Sequence, residues 1–233
     1  MDSVIKVNNV TKIFKKQRAL DDISVSVNKG EILGLIGNNG AGKTTLLKII
    51  DGLLAPNNGS VEYFGNRRVG ALISATNIYK DMTAFENVKA YALATGYKCK
   101  NEDIAEVLKL VGLADTGNKL AGKFSTGMKQ RLGLAIALIG DPDILLLDEP
   151  INGLDVQGII DVRNILFKIH REKGTTIVVS SHILDELVKI VTRICIMDKG
   201  RIIFESSMEE FPEKFGGSSL EDCYLKIINE HSN

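Results

Sequence analysis

Two short segments of the chain carry side chains suited to phosphate chemistry. The first, GLIGNNGAGKTTLL at residues 34–47, places a run of glycines, a lysine and two threonines directly after apolar residues. The second, ILLLDEP at residues 144–150, is an apolar run that ends in two carboxylates. A glycine-rich turn between a strand and a helix lets backbone N–H groups converge on an anion. Together the two segments predict a site for a nucleoside triphosphate and its metal ion.

The residues of the first segment have distinct expected roles. Gly37, Gly40 and Gly42 lack the Cβ atoms that would hold a phosphate away from the backbone N–H groups. Lys43 would reach the outer phosphates, and the Thr44 hydroxyl would ligate Mg²⁺. The predicted nucleotide-binding set of this segment is Gly37, Asn38, Asn39, Gly40, Ala41, Gly42, Lys43, Thr44 and Thr45.

The two carboxylates of the second segment are Asp148 and Glu149. A carboxylate at the C-terminal end of a parallel strand faces the ligand crevice of an α/β sheet. Asp148 is therefore predicted to hold Mg²⁺ through its water shell, and Glu149 to polarise the attacking water. The alternative, that both residues only cap the following turn, fits less well with a phosphate loop earlier in the chain.

Alternating strands and helices are predicted around both segments. Polar and apolar residues alternate over 23–28, as in a half-buried strand, and residues 32–36 are apolar throughout, as in a central strand. Apolar residues at helical spacing follow from 46 to 54, where Pro56 stops them. The block 84–139 is helical in pattern and separates the phosphate loop from the acidic strand.

The second half of the chain predicts further βα units. Strands are expected at 144–148, 175–180 and 193–197, with helices at 156–172 and 183–191 between them. A turn at 198–200 would lead into another strand, and an amphipathic segment at 220–228 closes the chain. This alternation indicates a mostly parallel sheet covered by helices.

Composition excludes several classes of protein. Lys+Arg and Asp+Glu are balanced at 29 each, so no basic surface for nucleic acid is indicated. Cys99, Cys195 and Cys223 lie far apart, which predicts neither a zinc site nor a disulfide framework and fits reduced cytosolic thiols. No apolar run approaches the ~20 residues of a spanning helix, so a membrane role would require a partner protein.

The segment FSTGMKQRLGLAIAL at residues 124–138 discriminates among nucleotide enzymes. Ser125 and Gly127 stand at the start of a predicted helix, and Gln130 and Arg131 follow, shortly before the acidic strand. This pattern resembles the signature motif of ATP-binding-cassette (ABC) ATPases, usually written Leu-Ser-Gly-Gly-Gln. The resemblance covers nearly the whole chain and implies that the nucleotide is ATP.

Other positions match the ABC family in chain order. Phe14 stands where the family stacks an aromatic ring on adenine, although a single aromatic beside a strand is about as often core packing. Asp155 ends a loop, 152–155, that resembles the one crossing the family's dimer interface. His182 matches the histidine that contacts the terminal phosphate, so Glu149 and His182 are the predicted catalytic residues. A lone histidine after a strand would otherwise be structural.

The resemblance also implies an architecture. The fold would be α/β, a P-loop NTPase (RecA-like) core with a mostly parallel sheet, an N-terminal antiparallel β subdomain and an inserted α-helical subdomain. We expect the ATP-binding domain at 1–211, its helical subdomain at about 75–140, and a short helical extension at 212–233. Two cassettes would pair head to tail as a homodimer or heterodimer. Each ATP would then lie between one phosphate loop and the Ser125 and Gly127 region of the opposite chain.

Some positions depart from the family pattern. Ser74 stands where the family normally has a glutamine that contacts Mg²⁺ or water and links the nucleotide to the membrane partner. Thr126 and Met128 replace a glycine and the glutamine of the signature, and Ile151 replaces the usual Ser or Thr after Glu-Pro. ATP binding remains predicted, while Ser74 and Ile151 leave the rate of hydrolysis open.

Three segments resemble one branch of the family, the bacitracin-resistance and lantibiotic-immunity cassettes of ABC-2-type exporters. They are GMKQR, VGALI with the nearby NIYKDMTAFENV, and SSLEDCYLKI near the end of the chain. The resemblance implies an ATPase subunit that energises a separately encoded membrane exporter of drugs or antimicrobial peptides. The chain would be held at the cytoplasmic face of the membrane by an integral permease. A groove at 74–88, with Tyr79, Met82 and Phe85, would receive that permease, unless these side chains belong to the helical core.

Two other functions stay open at this point. One is a soluble ABC ATPase that acts as an ATP-driven dimerisation switch in a process other than transport. The other is a cassette that binds ATP as a switch and hydrolyses it poorly, as Ser74 would allow.

Overall fold

The computed structural model of the chain describes residues 2–73, 78–211 and 220–232. Its strands are β1 (Ser3–Phe14), β2 (Gln17–Asn28), β3 (Ile32–Ile36), β4 (Asn58–Tyr63), β5 (Val69–Leu72), β6 (Ile144–Asp148), β7 (Thr176–Ser181), β8 (Arg193–Asp198) and β9 (Arg201–Ser207). Its helices are α1 (Lys43–Ile50), α2 (Ala84–Ala94), α3 (Asn101–Leu110), α4 (Thr126–Leu138), α5 (Val156–Lys173), α6 (Leu184–Leu187) and α7 (Leu220–Ser232).

A small antiparallel sheet is formed by the first strands, in the order β2-β1-β4. β2 alternates as its sequence predicts: Ile23, Val25 and Val27 are buried and Ser24 is exposed. One face of this sheet therefore packs on the core, and the other faces solvent. The predicted N-terminal antiparallel subdomain is confirmed.

The larger sheet has the order β5-β6-β7-β3-β8-β9. All neighbouring pairs are parallel except β8 and β9, which form an antiparallel hairpin. β3 and β7 are buried along their whole length because they lie in the middle of the sheet. β7 lies between β3 and β6, so the phosphate loop, the acidic end of β6 and the residues after β7 meet at one edge. The predicted mostly parallel sheet is confirmed.

Three helices form a lobe between β5 and β6 in the chain. α2 and α3 both pack against α4, and side chains such as Val88, Ile104 and Leu132 are buried between them. α2 begins with a capping box in which the Thr83 hydroxyl accepts the Glu86 N–H and the Glu86 carboxylate accepts the Thr83 N–H. The lobe lies where an inserted helical subdomain is expected, and its limits stay a prediction.

Two predicted helices are shorter than expected. α1 ends at Ile50 rather than near 54, and Gly52 follows in the left-handed region at φ 78°. The predicted helix at 183–191 is reduced to α6, Leu184–Leu187. A turn follows, in which the Ile190 and Val191 N–H groups donate to the Leu187 carbonyl. The Thr192 N–H then donates to the Ile32 carbonyl as the chain enters β8.

The turn between β8 and β9 is the predicted hairpin turn. Lys199 and Gly200 both have positive φ, 45° and 81°, as a tight two-residue hairpin requires. The turn also touches the phosphate loop, because the Gly200 N–H donates to the Ala41 carbonyl.

Candidate functional site

The loop between β3 and α1 depends on glycine at several positions. Gly40 and Gly42 have φ of 87° and 106°, values that other residues rarely adopt. A Cβ on Gly37 would lie 2.3 Å from the Met197 carbonyl oxygen, and one on Gly42 would lie 2.7 Å from the Ala19 carbonyl oxygen. The loop therefore passes directly against the backbones of β8 and β2.

The remaining residues predicted for this loop occupy its crest and the first turn of α1. Asn38 and Asn39 are exposed, whereas Ala41 is buried and donates its N–H to the Asn38 carbonyl at 3.1 Å. Thr44 and Thr45 lie in the first turn of α1, whose leading N–H groups are free to meet an anion. The loop thus has the geometry of a phosphate cradle.

Lys43 is buried and folds back over its own loop. Its Nζ donates to the Gly37 carbonyl at 2.6 Å and to the Asn38 carbonyl at 3.3 Å. The same nitrogen lies 3.3 Å from Glu149 Oε1. The structure therefore brings the predicted phosphate-binding lysine and the predicted catalytic carboxylate together across the sheet edge.

Thr44 and Asp148 offer oxygen ligands of the kind that Mg²⁺ prefers. Thr44 Oγ1 donates to Asp148 Oδ2 at 2.7 Å, and Ser180 Oγ donates to Asp148 Oδ1 at 2.7 Å. The hydroxyl and the carboxylate lie beside the phosphate loop, so they fit a magnesium ion bound to nucleotide phosphates. Ser180 was not predicted as a site residue. It is the register partner of Asp148 across β6 and β7, a pairing that the separate strands do not reveal.

Glu149 is held in a strained conformation between a lysine and a histidine. Its φ is 51°, uncommon for a residue other than glycine, and its N–H donates to Ser180 Oγ at 3.0 Å. His182 Nδ1 lies 2.8 Å from Glu149 Oε2, which places the proton on that nitrogen because an ionised carboxylate only accepts. The prediction for His182 was a phosphate contact; here its ring contacts Glu149.

Gln130 joins the helical lobe to this carboxylate. Its Nε2 donates to the Glu149 carbonyl oxygen at 3.2 Å. The residue stands in the signature segment, but no role was predicted for it. The contact depends on how α4 packs against the end of β6, so it could not be read from the spacing of the motif.

The signature segment and the 152–155 loop are neighbours within one chain. Ser125 caps α4 and Asp155 caps α5, each by accepting a backbone N–H with its side-chain oxygen. A Cβ on Gly127 would lie 3.6 Å from the Leu154 side chain. Among the residues that the structure describes, no hydrogen bond joins Ser125 or Gly127 to the phosphate loop. Their predicted contact is with ATP held by a second chain, and it stays a prediction.

Phe14 lies at the end of β1, beside the turn into β2. Its ring is 46% exposed, and Lys12 Nζ lies 5.3 Å from the ring centroid. The ring is therefore not part of the core, which removes the alternative left open by the sequence. Ala19 of the same hairpin contacts Gly42, so the hairpin adjoins the phosphate loop. The adenine contact stays a prediction.

Two positions, Ile151 and Ser74, depart from the ABC family pattern in a way that bears on hydrolysis. Ile151 is buried and belongs to the main hydrophobic cluster, so its side chain serves packing. Ser74 lies outside the described residues.

Comparison with known proteins identifies the family. A family model described as "ABC transporter" matches residues 20–152, more than half of the chain. The bacitracin transport ATP-binding protein BcrA of Bacillus licheniformis is 39% identical over 224 residues, which cover 92% of this chain and 73% of that protein. The lantibiotic transport ATP-binding protein SrtF of Streptococcus pyogenes is 36% identical over 232 residues, 97% of either chain.

Comparison with solved structures indicates the same family. A bacterial ABC transporter cassette solved as a dimer has a TM-score of 0.80 and 27% identity, covering 88% of this chain and 98% of that one. The same cassette was also solved as a dimer in a post-hydrolysis state bound to ADP and Pi. The phosphate cradle, the paired carboxylates and these relatives lead to one assignment. The chain belongs to the ABC transporter family, as an ATP-binding ATPase subunit of a transporter.

Proposed function

We propose that this chain energises a separately encoded membrane exporter of drugs or antimicrobial peptides. The observation that carries its ATPase role is the placement of Glu149 between Lys43 and His182 beside the phosphate loop. The relatives' names, bacitracin transport and lantibiotic transport, supply the class of cargo. No helix of the described ranges is long and apolar enough to cross a bilayer, which is consistent with a membrane-spanning partner.

The site residues divide among binding, orientation and proton transfer. The ATP phosphates would lie on the loop, where Lys43 neutralises part of their charge. Thr44 and Asp148 would hold Mg²⁺, which neutralises charge on the phosphate oxygens when bound. Glu149 would accept a proton from the water that attacks the terminal phosphorus, as the bond to the bridging oxygen breaks and ADP leaves. His182, bonded to the same carboxylate, would keep it aimed at that water.

Two cassettes would be required for a complete site. Ser125 and Gly127 begin α4, whose N-terminal N–H groups form a second anion site. We propose that this site meets ATP held by the phosphate loop of the partner cassette. The 152–155 loop would lie at the same interface. Another copy of this chain, or a related cassette, can supply the second half.

The contact with the permease is proposed for the groove that begins at Ser74 and ends at Val88. Its first part, 74–77, lies outside the described residues. Tyr79 is 55% exposed, while Met82 is half-buried and Phe85 packs against the main core. Tyr79 is therefore the best-placed contact for an apolar segment of the permease. This arrangement would hold the chain at the cytoplasmic face of the membrane.

The test is affinity purification of tagged Glu149→Gln protein with ATP from detergent-solubilised native membranes. The variant should trap the ATP-bound dimer on its partner, so a stoichiometric multi-span protein should co-purify. Adding Tyr79→Asp should release that protein without loss of ATP binding. Phe167→Asp, at a similarly exposed aromatic on α5, is the matched control and should retain it.

Each arm of this experiment can overturn part of the proposal. A soluble partner, or none, would set transport aside and favour an ATP-driven dimerisation switch. Retention of the permease by Tyr79→Asp would exclude the groove as the docking site. The cargo would then be assayed in vesicles with the captured permease, where a bacitracin-type or lantibiotic-type peptide should stimulate ATP turnover.

A further inference from the structure

A buried hydroxyl near the end of β7 connects the two carboxylate residues of the ATPase site. Ser180 is completely shielded from solvent, and the residues at 177–179 before it are apolar. A buried hydroxyl costs free energy unless its hydrogen bonds are satisfied, so a serine in this central strand requires partners. Its hydroxyl finds them in Asp148 and Glu149.

The Ser180 hydroxyl accepts one of these hydrogen bonds and donates the other. Its oxygen accepts the Glu149 N–H at 3.0 Å, and its hydrogen is donated to Asp148 Oδ1 at 2.7 Å. A serine hydroxyl has one donor and two acceptor lone pairs, so both bonds can form at once. They make a chain from the Glu149 peptide through the hydroxyl to the Asp148 carboxylate, and bonds in such a chain strengthen one another.

Strand register gives the hydroxyl this reach. Asp148 is the last residue of β6, and Ser180 is its partner in the parallel strand β7, so their side chains project from the same face of the sheet. The other oxygen of Asp148 accepts a hydrogen bond from Thr44 Oγ1 at 2.7 Å. Two hydroxyls, one from α1 and one from β7, therefore orient the Asp148 carboxylate.

The Ser180 hydroxyl also restrains the strained backbone of Glu149. A φ of 51° persists only when surrounding contacts over-determine it. The Glu149 N–H is shared between the Ser180 hydroxyl and the Ser180 carbonyl, at 3.0 and 3.2 Å. The Glu149 carbonyl accepts from the Asn152 N–H and from Gln130 Nε2. Loss of the hydroxyl would remove one of these restraints and leave Asp148 Oδ1 without its serine donor.

We propose that Ser180 is a positioning residue for hydrolysis and acts through Glu149. Because its hydroxyl bridges the Glu149 N–H and the Asp148 carboxylate, it fixes the direction in which the Glu149 side chain leaves the end of β6. It thereby aims the general base at the attacking water. The inference rests on the proposed role of Glu149 and is independent of the permease and the cargo.

Ser180→Ala tests this role because it removes only the hydroxyl. The kcat for ATP hydrolysis should fall about tenfold, the factor expected for one hydrogen bond, with KM for ATP within twofold. Thr176→Val is the matched control, since Thr176 is also buried, begins the same strand and accepts the Gly30 N–H with its hydroxyl at 2.9 Å. It should keep native kcat and KM. A kcat within twofold of native for Ser180→Ala, or an equal fall in Thr176→Val, would overturn the proposal.

Hydrogen exchange of the nucleotide-free protein gives a readout that does not depend on turnover. Peptides covering 145–153 should exchange several-fold faster in Ser180→Ala and at the native rate in Thr176→Val. Unchanged exchange of these peptides in Ser180→Ala would also overturn the proposal, because the hydroxyl would then not hold the Glu149 backbone.

Combining Ser180→Ala with Glu149→Gln separates the role of Ser180 from that of Glu149. If Ser180 acts through Glu149, the added change should lower the residual turnover of Glu149→Gln less than twofold. A further tenfold loss would overturn the proposal, since Ser180 would then act independently of Glu149. Native turnover in Glu149→Gln alone would remove the role of Glu149 itself. Native turnover in Ser180→Ala beside a strong loss in Glu149→Gln would remove only the role of Ser180.

Discussion

Two clusters of charge lie at opposite edges of the parallel sheet. At the edge where the strands end, Lys43, Glu149 and His182 form the ATPase site. At the edge where they begin, Arg193 of β8 pairs with Glu31, just before β3, and with Glu205 of β9. Each cluster pairs a mostly buried cation with at least one carboxylate, yet the two clusters are satisfied in different ways.

The Arg193 cluster is closed by permanent partners. Nε and Nη2 of Arg193 donate to Glu31 at 3.2 and 2.7 Å. Nη2 also donates to the Ser26 carbonyl, and Nη1 donates to Glu205. Glu31 also accepts two hydrogen bonds from Asn28. The planar guanidinium suits such a fixed set of acceptors, and the cluster joins the two sheets.

The Lys43 cluster is held by partners that a nucleotide can replace. Lys43 donates to carbonyls of its own loop, and Glu149 keeps a strained φ of 51°. A flexible ammonium can exchange these carbonyls for phosphate oxygens. In this molecule the burial of charge does not distinguish the ATPase cluster from the Arg193 cluster; the replaceable partners of Lys43, together with the strained backbone at Glu149, do.

The largest expected effect comes from breaking the ATPase cluster at Glu149. Glu149→Gln should lower ATP turnover at least 100-fold while ATP binding persists, because the amide keeps the shape but cannot accept the proton. Phosphate release measures it. Glu205→Gln is the same change at the opposite edge and should leave turnover within twofold. Native turnover from Glu149→Gln would remove the assigned role.

Breaking the Arg193 cluster should affect stability instead of catalysis. Arg193→Met leaves the mostly buried Glu31 without its cation and should lower the free energy of unfolding by about 3 kcal/mol. Urea denaturation measures the loss, and turnover per folded molecule should not change. Adding Glu31→Gln should recover part of the stability. A loss below about 1 kcal/mol would mean that the cluster contributes little.

A smaller effect is expected from the link between the helical lobe and the ATPase cluster. Gln130→Met keeps the length of the side chain but cannot donate to the Glu149 carbonyl, so kcat should fall about tenfold with KM unchanged. Steady-state kinetics gives both constants. Gln157→Met, on the exposed start of α5, is the control for the same replacement. Equal kinetics for both variants would show that the hydrogen bond does not position Glu149.

Asp51 provides a third case beside the ATPase and Arg193 clusters. Its carboxyl is half-buried but belongs to neither cluster. Burial raises its pKa from 3.8 to about 6. The folded chain then binds this proton more tightly than the unfolded chain, so stability falls as the pH rises from about 4 to about 6. Asp51→Asn should raise the free energy of unfolding by about 1 kcal/mol at pH 7 and hardly at all at pH 4. An equal gain at both pH values would contradict this.

The sequence was most informative where chemistry is local. The glycines of the phosphate loop and the carboxylates at the end of β6 are recognisable because a few adjacent residues determine the geometry. The roles of Ser180 and Gln130 in the site were not predicted because their contacts depend on strand register and helix packing. Strand β4 was not predicted because its residues are nearly all exposed and do not alternate between buried and exposed positions. The predicted helix at 183–191 is shorter in the structure because the chain turns after Leu187, where the Ile190 and Val191 N–H groups donate to the Leu187 carbonyl.

The Ala19 carbonyl has a further consequence for nucleotide selection. A Cβ on Gly42 or on Gly200 would come within 2.7 Å of it, so the hairpin that carries Phe14, the phosphate loop and the β8–β9 turn meet at one backbone atom. The span from the aromatic ring to the phosphate cradle is therefore fixed by main chain. If Phe14 stacks on the base as predicted, the site should select nucleotides by the distance between base and phosphates more strictly than by the identity of the base.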